Sequence, residues 1–327
     1  MSNITNKWTE IRQRNTQTLC FYGNKFLKEN IENFLSESNL IASDYGLTFD
    51  RLSLMFKNGR KSRVSKYSLN HFQQKFDLEQ FSIVSAFQFW EGGWKDDYII
   101  YCSVDKDRAL LTFADENINL PINESKQLLL KLSSLLHSCY SVYFEIPYDV
   151  SPYFFSLGIV AGDYYKYFLL NSPDNSAEKG LRFCRWGTGL NEKVYLRGVI
   201  RDVYQLNILC KVQAYFPFDG TPLIDCVRSG KVEGTIEEIT PERFLWTVPK
   251  DNIPDTTEKC EKAGFLFNQL KDVPGDILWD DPDVAEYHKG DARREANGKV
   301  IKKFLDATMN NEKPDPNDFL NIFVQKD

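Results

Sequence analysis

The run FSIVSAFQFWEGGWKDDYIIYCSVDKDRALLTFA, residues 81–114, decides the fold class. It divides into three β-branched and aromatic segments, Phe81–Trp90, Tyr98–Val104 and Ala109–Ala114, with Gly92-Gly93 between the first two. Segments of this length, broken by turn residues, read as antiparallel strands. Upstream, Leu47–Phe56 ends at Asn58-Gly59 and adds a strand, as does Thr18–Tyr22. Downstream, Ser141–Ile146 alternates Val142, Phe144 and Ile146 with Tyr143 and Glu145, the period of a half-buried strand. Two helices belong with these strands. Lys25–Ser36 carries Phe26, Leu27, Ile31, Phe34 and Leu35 at helical spacing behind Asn24, a suitable cap. Asn123–Cys139 follows Pro121 and lines Leu128, Leu132, Leu135 and Leu136 on one face, which predicts a helix covering the sheet.

The expected class is therefore α+β, with mainly antiparallel sheets covered by helices. At 327 residues the chain exceeds the usual size of one core, and two domains or subdomains are expected. The stretch NSPDNSAEK, residues 171–179, has turn chemistry and no apolar period, so the boundary is placed near residue 175, between units 1–175 and 176–327. The second unit is expected to hold strands at Leu181–Trp186, Val194–Val199 and Phe244–Val248, and a short helix opened by Thr221-Pro222. A further helix, Pro254–Ala263, has Asp255 and Glu258 at capping-box spacing and Gly264 to close it. Val300, Ile301, Phe304 and Leu305 form an apolar stripe in a helical tail.

Composition narrows the function classes. Hydrophobic residues at 42% and aromatics at 14% supply a core, and the formal net charge of −6 disfavours nucleic acid as partner. Seven widely spaced cysteines, none in a CxxC pair, suggest neither a disulfide framework nor a zinc site and fit a reducing cytoplasm. The amino terminus lacks an apolar signal segment, and the longest uncharged stretches, Leu132–Phe144 and Val150–Gly162, are 13 residues each, short of the roughly 20 a spanning helix needs. A cytoplasmic protein without a membrane span is expected.

No catalytic motif emerges. The three histidines, His71, His137 and His288, are scattered, and His137 and Cys139 stand two apart, on different sides of a helix. Gly187-Thr188-Gly189 lacks the rest of a phosphate loop. The basic cluster Lys57, Arg60, Lys61, Arg63 and Lys66 surrounds a turn without interleaved aromatics, which reads as a solvated loop. No catalytic residue, cofactor or metal is assigned, and the chain is not expected to be an enzyme. The most specific surface feature is acidic: Asp276, Trp279, Asp280, Asp281 and Asp283 lie within residues 272–291, and Trp94 sits on a glycine turn where burial is hard. Carboxylates with an aromatic anchor suit a basic protein partner, so Trp94, Asp276, Trp279, Asp280, Asp281 and Asp283 are the expected contacts.

Residues 201–267, with RDVYQLNIL, FDGTPLIDCV, FLWTVPKDNIP and KCEKAGFLF, resemble a segment of bacterial proteins associated with polymorphic toxins, as does SPYFFSLGIVAG at 151–162. The chain thus resembles immunity proteins encoded beside contact-delivered toxins such as type VI secretion effectors. The matching residues, among them Asp202, Tyr204, Asn207, Gly220, Pro222, Trp246, Pro249 and Gly264, are turn, cap and packing types. The resemblance implies an inhibitor that binds a cognate protein toxin and occludes its active site or substrate channel, and the acidic balance of the chain makes a basic toxin the expected partner. The alternatives are an enzyme that reverses the toxin's modification, or an effector adaptor or chaperone. Size permits the inhibitor: a chain of 38.0 kDa exposes on the order of 14,000 Å², and a standard interface takes about 800 Å² from each partner.

Overall fold

The computed structural model describes residues 15–23, 26–57, 69, 80–89, 98–115, 117–147, 152–157, 199–218 and 220–266. In chain order these form β1 (Asn15–Tyr22), α1 (Lys28–Asp44), β2 (Arg51–Phe56), β3 (Phe81–Phe89), β4 (Tyr98–Asp105), β5 (Arg108–Phe113), α2 (Ile122–Leu136), β6 (Tyr140–Pro147) and α3 (Pro152–Leu157). After residue 198 follow β7 (Leu206–Cys210), α4 (Lys211–Ala214), β8 (Pro217–Phe218), β9 (Thr221–Pro222), α5 (Leu223–Arg228), β10 (Thr235–Thr240), β11 (Arg243–Thr247), a single 3-10 turn (Lys250–Asn252) and α6 (Ile253–Lys262).

Nine strands build one sheet in the order β10-β11-β7-β6-β1-β5-β4-β3-β2, and every pairing in it is antiparallel. This is the expected α+β architecture. The segment 81–114 forms three consecutive strands, as its turn residues predict, with β3 on β4 and β4 on β5. Strand β1 sits at the middle, hydrogen-bonded to β5 on one side and β6 on the other, and only its first residue is exposed.

Side-chain alternation splits the core into two layers, one on each face of the sheet. From β6, Tyr140, Val142, Phe144 and Ile146 enter a layer with Trp246, Leu223, Cys226 and Phe265 from the later elements. Tyr143 points to the other face, where Leu129, Leu132 and Leu136 of α2 and Phe34, Leu35 and Ile41 of α1 cover the sheet. The sheet is thus a middle layer between helices. Helix α2 ends where His137 adopts a left-handed backbone, φ 50°, and Ser138 N–H returns to Ser133 O at 3.2 Å. Its last residue, Leu136, comes three positions before the expected Cys139. Helix α1 runs on to Asp44, beyond the expected Ser36, because Ser38, Ile41 and Ala42 continue its buried stripe.

Strands from both sides of residue 175 share this sheet. β6 pairs with β7 through Ser141↔Ile208, Val142↔Asn207 and Tyr143↔Leu206, and Leu206, Ile208 and Leu245 pack in the same layer as α2. The expected linker 171–179, the strand Leu181–Trp186, nearly all of Val194–Val199 and the tail stripe at Val300–Leu305 lie outside the described residues.

The residues that carry the resemblance do structural work. Asn207, fully buried, accepts from Tyr204 N–H at 3.1 Å and donates to Tyr204 O at 2.6 Å. Trp246 is buried and donates from Nε1 to Glu233 O at 3.1 Å. Pro222 and Pro249 each stand at the residue preceding a helix, and Gly220 and Gly264 have φ of 78° and 71°, a region glycine occupies at little cost. Asp255 lies in the first turn of α6, which begins at Ile253 and has no side-chain cap.

Candidate interaction surface

The six contact residues expected from the sequence, Trp94, Asp276, Trp279, Asp280, Asp281 and Asp283, lie outside the described residues. Within the described residues, the surface suited to a partner is the β10 end of the sheet. Among the described residues β10 has one neighbour, β11, so its other edge presents backbone N–H and C=O groups with no ladder. Its sequence is TIEEIT, and five of its six residues are exposed, against none of the six in β5. Ile236 packs against the core, the other five side chains of the strand are exposed, and β11 supplies its ladder.

Charge and aromatic character converge there. Glu238 is the cross-strand partner of Phe244, and the Tyr215 ring meets Phe244 edge-on with centroids 6.0 Å apart. Tyr215, 51% exposed, therefore lies beside β10 on that face, directly after the short helix α4, which carries Val212, 49% exposed. Helix α4 is tied to the β10–β11 turn through Lys211 N–H to Glu242 O at 3.0 Å. On the opposite face Glu237, with 57% of its side chain exposed, meets Lys126 of α2 at 2.9 Å. Glu242 meets Lys211 at 3.0 Å, where both side chains are more than half exposed, so water screens the pair and it adds little stability. Ile239 is exposed at the bulge between Glu238 and Thr240. The result is an open edge with Glu237, Glu238 and Glu242, flanked by exposed Tyr215, Val212 and Ile239.

The inner polar groups serve a different purpose. Arg201 is fully buried, donates to the Tyr22 hydroxyl at 3.0 Å and lies 4.0 Å above the Phe155 ring. Tyr22 in turn donates to Ser156 O at 3.0 Å and stacks on Tyr140. Burial first, then the neighbouring Cys20, push the Tyr22 hydroxyl well above its ordinary range, so it stays protonated. Arg108, 3% exposed, pairs with Asp105 at 2.7 Å and lies 5.0 Å from the Tyr153 ring centre. These arginines tie α3 and the residues around Arg201 to β1 and β5. Sequence reading did not single them out, and Arg201 appears in it only as the first residue of RDVYQLNIL. A buried arginine has no signature apart from the partners that surround it.

Of the catalytic candidates, His71, His288 and Gly187–Gly189 lie outside the described residues, and His137 and Cys139 both follow Leu136, the last residue of α2. His137 is exposed at the end of α2, while Cys139 begins the approach to β6 and gives its amide to Tyr22 O at 2.8 Å. No group of His, Cys, Asp and Glu suited to a metal ion occurs among the described residues. A cavity of about 310 Å³ is lined by Phe218, Thr221, Cys226, Lys231, Lys259 and Lys262. Two of its lysines are engaged, Lys259 with Glu233 and Lys262 with Glu258, each at 2.5 Å. No helix of the described residues is long and apolar enough to cross a membrane.

No family model matches the chain, and no curated protein matches it. Among solved structures it is similar to a T6SS protein of Pseudomonas aeruginosa, at 13% identity and a TM-score of 0.44, over 77% of this chain and 76% of that one.

Proposed function

We propose that the chain is an immunity protein that binds a cognate toxin and occludes its active site or substrate channel in a one-to-one complex. The observation that supports this reading is the open β10 edge, whose exposed carboxylates match a basic partner. A six-residue strand offers about 20 Å of backbone to an added strand, and a partner strand completes the missing ladder. Glu237, Glu238 and Glu242 then steer a basic segment and fix its register, while Tyr215 and Val212 supply apolar area. The mechanism requires no covalent chemistry. A nanomolar complex needs about −12 kcal/mol, within reach of a few well-packed anchors.

The test is co-expression with the toxin encoded beside it, with the dose of this protein varied. The inhibitor must protect only near one-to-one dosage and must co-elute with the toxin. Protection at strongly substoichiometric dose would instead identify an enzyme that repairs toxin damage, and a stable complex without protection would identify an adaptor or chaperone.

A further inference from the structure

The cavity of about 310 Å³ opens where α5, α6 and the β8–β9 hairpin meet, and the described residues that line it are Phe218, Thr221, Cys226, Lys231, Lys259 and Lys262. Its size is that of a small molecule, at the lower end of the roughly 300–1,000 Å³ that ligand pockets span. These lining residues bring three ammonium groups and no carboxylate to one place, in a chain of formal net charge −6. Local structure places each of them. Helix α5 closes with Gly230 N–H on Val227 O at 3.1 Å and Lys231 N–H on Cys226 O at 2.9 Å, a paired cap that sets Lys231 at the cavity. Lys259 and Lys262, three positions apart, share one face of α6. The Cys226 sulfur lies 3.8 Å from both Phe218 O and Thr221 O and ties the hairpin to α5. Phe218 and Cys226 are 6% and 2% exposed, so the cavity has an apolar wall opposite its charged groups.

The hydrogen bonds already made show what is left for a ligand. A lysine ammonium carries three N–H donors and no acceptor. Lys259 gives one to Glu233 Oε1 at 2.5 Å and one to Lys231 O at 3.2 Å, and Lys262 gives one to Glu258 at 2.5 Å. The bond from Lys259 holds the Glu233 carboxyl below its usual range, so that pair is charged at neutral pH. The Lys231 ammonium has no carboxylate and no hydrogen-bond acceptor among the described residues. A surplus positive charge therefore remains, with unspent N–H groups on all three lysines beside the Thr221 hydroxyl. The three terminal oxygens of a phosphate monoester take up such a set more fully than the two oxygens of a carboxylate, and lysine binds phosphate as a point charge.

We infer that this cavity binds a small phosphate monoester, with its phosphate held by Lys231, Lys259 and Lys262 and its apolar body set against Phe218 and Cys226. Binding requires no covalent step. The lining shares no residue with the β10 edge, so the site stands or falls separately from toxin binding.

The experiment is calorimetric titration of the full chain with phenyl phosphate, in a buffer free of phosphate. One-to-one binding tighter than about 1 mM is expected, and it weakens as salt is raised. Inorganic phosphate, which lacks the apolar body, and benzoate, which offers two oxygens, should each bind about tenfold more weakly. Lys231→Gln and Lys262→Gln should each weaken phenyl phosphate about tenfold, the worth of a charged hydrogen bond. Lys131→Gln, on α2 across the sheet, should leave it unchanged. Thermal unfolding without ligand shows that all three variants keep the fold, since each lysine is exposed. No binding of phenyl phosphate at about 1 mM, or equal losses for Lys131→Gln and Lys231→Gln, would overturn the site. Inorganic phosphate as tight as phenyl phosphate would overturn the part given to Phe218 and Cys226, and benzoate as tight would overturn the choice of phosphate.

Discussion

Replacing Gln17 with leucine tests whether the two halves of the chain stand or fall as one unit. Gln17 lies in β1, the central strand, and is 8% exposed. Its side-chain amide donates to Leu120 O at 3.1 Å and to the Tyr143 hydroxyl at 2.8 Å, and its Oε1 accepts from Leu120 N–H at 2.8 Å. Leucine fills much of the same volume but strips Leu120, itself buried, of both backbone partners. Each buried group so stripped costs about 1–3 kcal/mol, and the gain from burying an apolar side chain offsets part of the sum. We predict a net loss of about 3 kcal/mol in urea unfolding, a large share of the roughly 5–15 kcal/mol typical of a folded domain. Because β1, β6, β7 and β11 belong to one sheet, the slowest amides of β7 and β11 must exchange about a hundredfold faster, together with those of β5. Hydrogen exchange read by mass spectrometry resolves the two regions. Unchanged protection in β7 and β11 would refute a shared unit and leave the halves on either side of residue 175 independent; a loss below about 1 kcal/mol would refute the accounting of hydrogen bonds.

Other perturbations separate packing, backbone and charge. Gly234→Ala adds a Cβ that overlaps the backbone oxygen of Thr247 at a φ of 109°, and thermal unfolding is expected to show a loss of about 2–4 kcal/mol, whereas Gly230→Ala, with open space around it, costs about 1 kcal/mol. Leu132→Ala, at a fully buried position under α2, is expected to cost about 2–5 kcal/mol by the same measurement. The double reversal Glu237→Lys with Glu238→Lys breaks the half-exposed Glu237–Lys126 pair and should cost about 1 kcal/mol of stability, yet weaken toxin binding in calorimetry about tenfold and reduce its salt dependence. For Glu145, burial alone would raise the carboxyl pKa, but the Tyr143 hydroxyl and the Lys250 ammonium outweigh it and hold it below the usual range. A carboxyl depressed in the folded state stabilises above its unfolded pKa and loses that contribution as pH falls through the folded value. Tyr143→Phe should therefore shrink the stability difference between neutral pH and pH near the carboxylate range, as read by urea midpoints along a pH series.

Local pattern made much of the sheet legible, and long-range pairing made the rest opaque. The segment 81–114 announced three strands because its apolar runs are short and glycine breaks them. Ser141–Ile146 declared its faces through alternation: Val142, Phe144 and Ile146 enter one layer, Tyr143 the other. Two strands escaped. LNILC at Leu206–Cys210 is a short apolar run whose period is invisible, and TIEEIT at Thr235–Thr240 is too polar to announce a strand because both its faces meet solvent. The pairing of β6 with β7 joins positions more than 60 residues apart, as in Ser141↔Ile208, and nothing local encodes that register. The expected contacts at Trp94 and Asp276–Asp283 rested on local charge and turn chemistry; the β10 edge owes its openness to its place in the strand order, which composition does not reveal.

Titration of protection against dosage tests the central claim most directly. Cells expressing the neighbouring toxin are supplied with graded amounts of this protein, both are quantified, and survival is plotted against their molar ratio. A stoichiometric blocker predicts a sharp rise in survival near equal amounts and loss of protection when Glu237 and Glu238 are reversed. Full rescue at a small fraction of the toxin's abundance would contradict it, because a blocker is consumed by each molecule it silences.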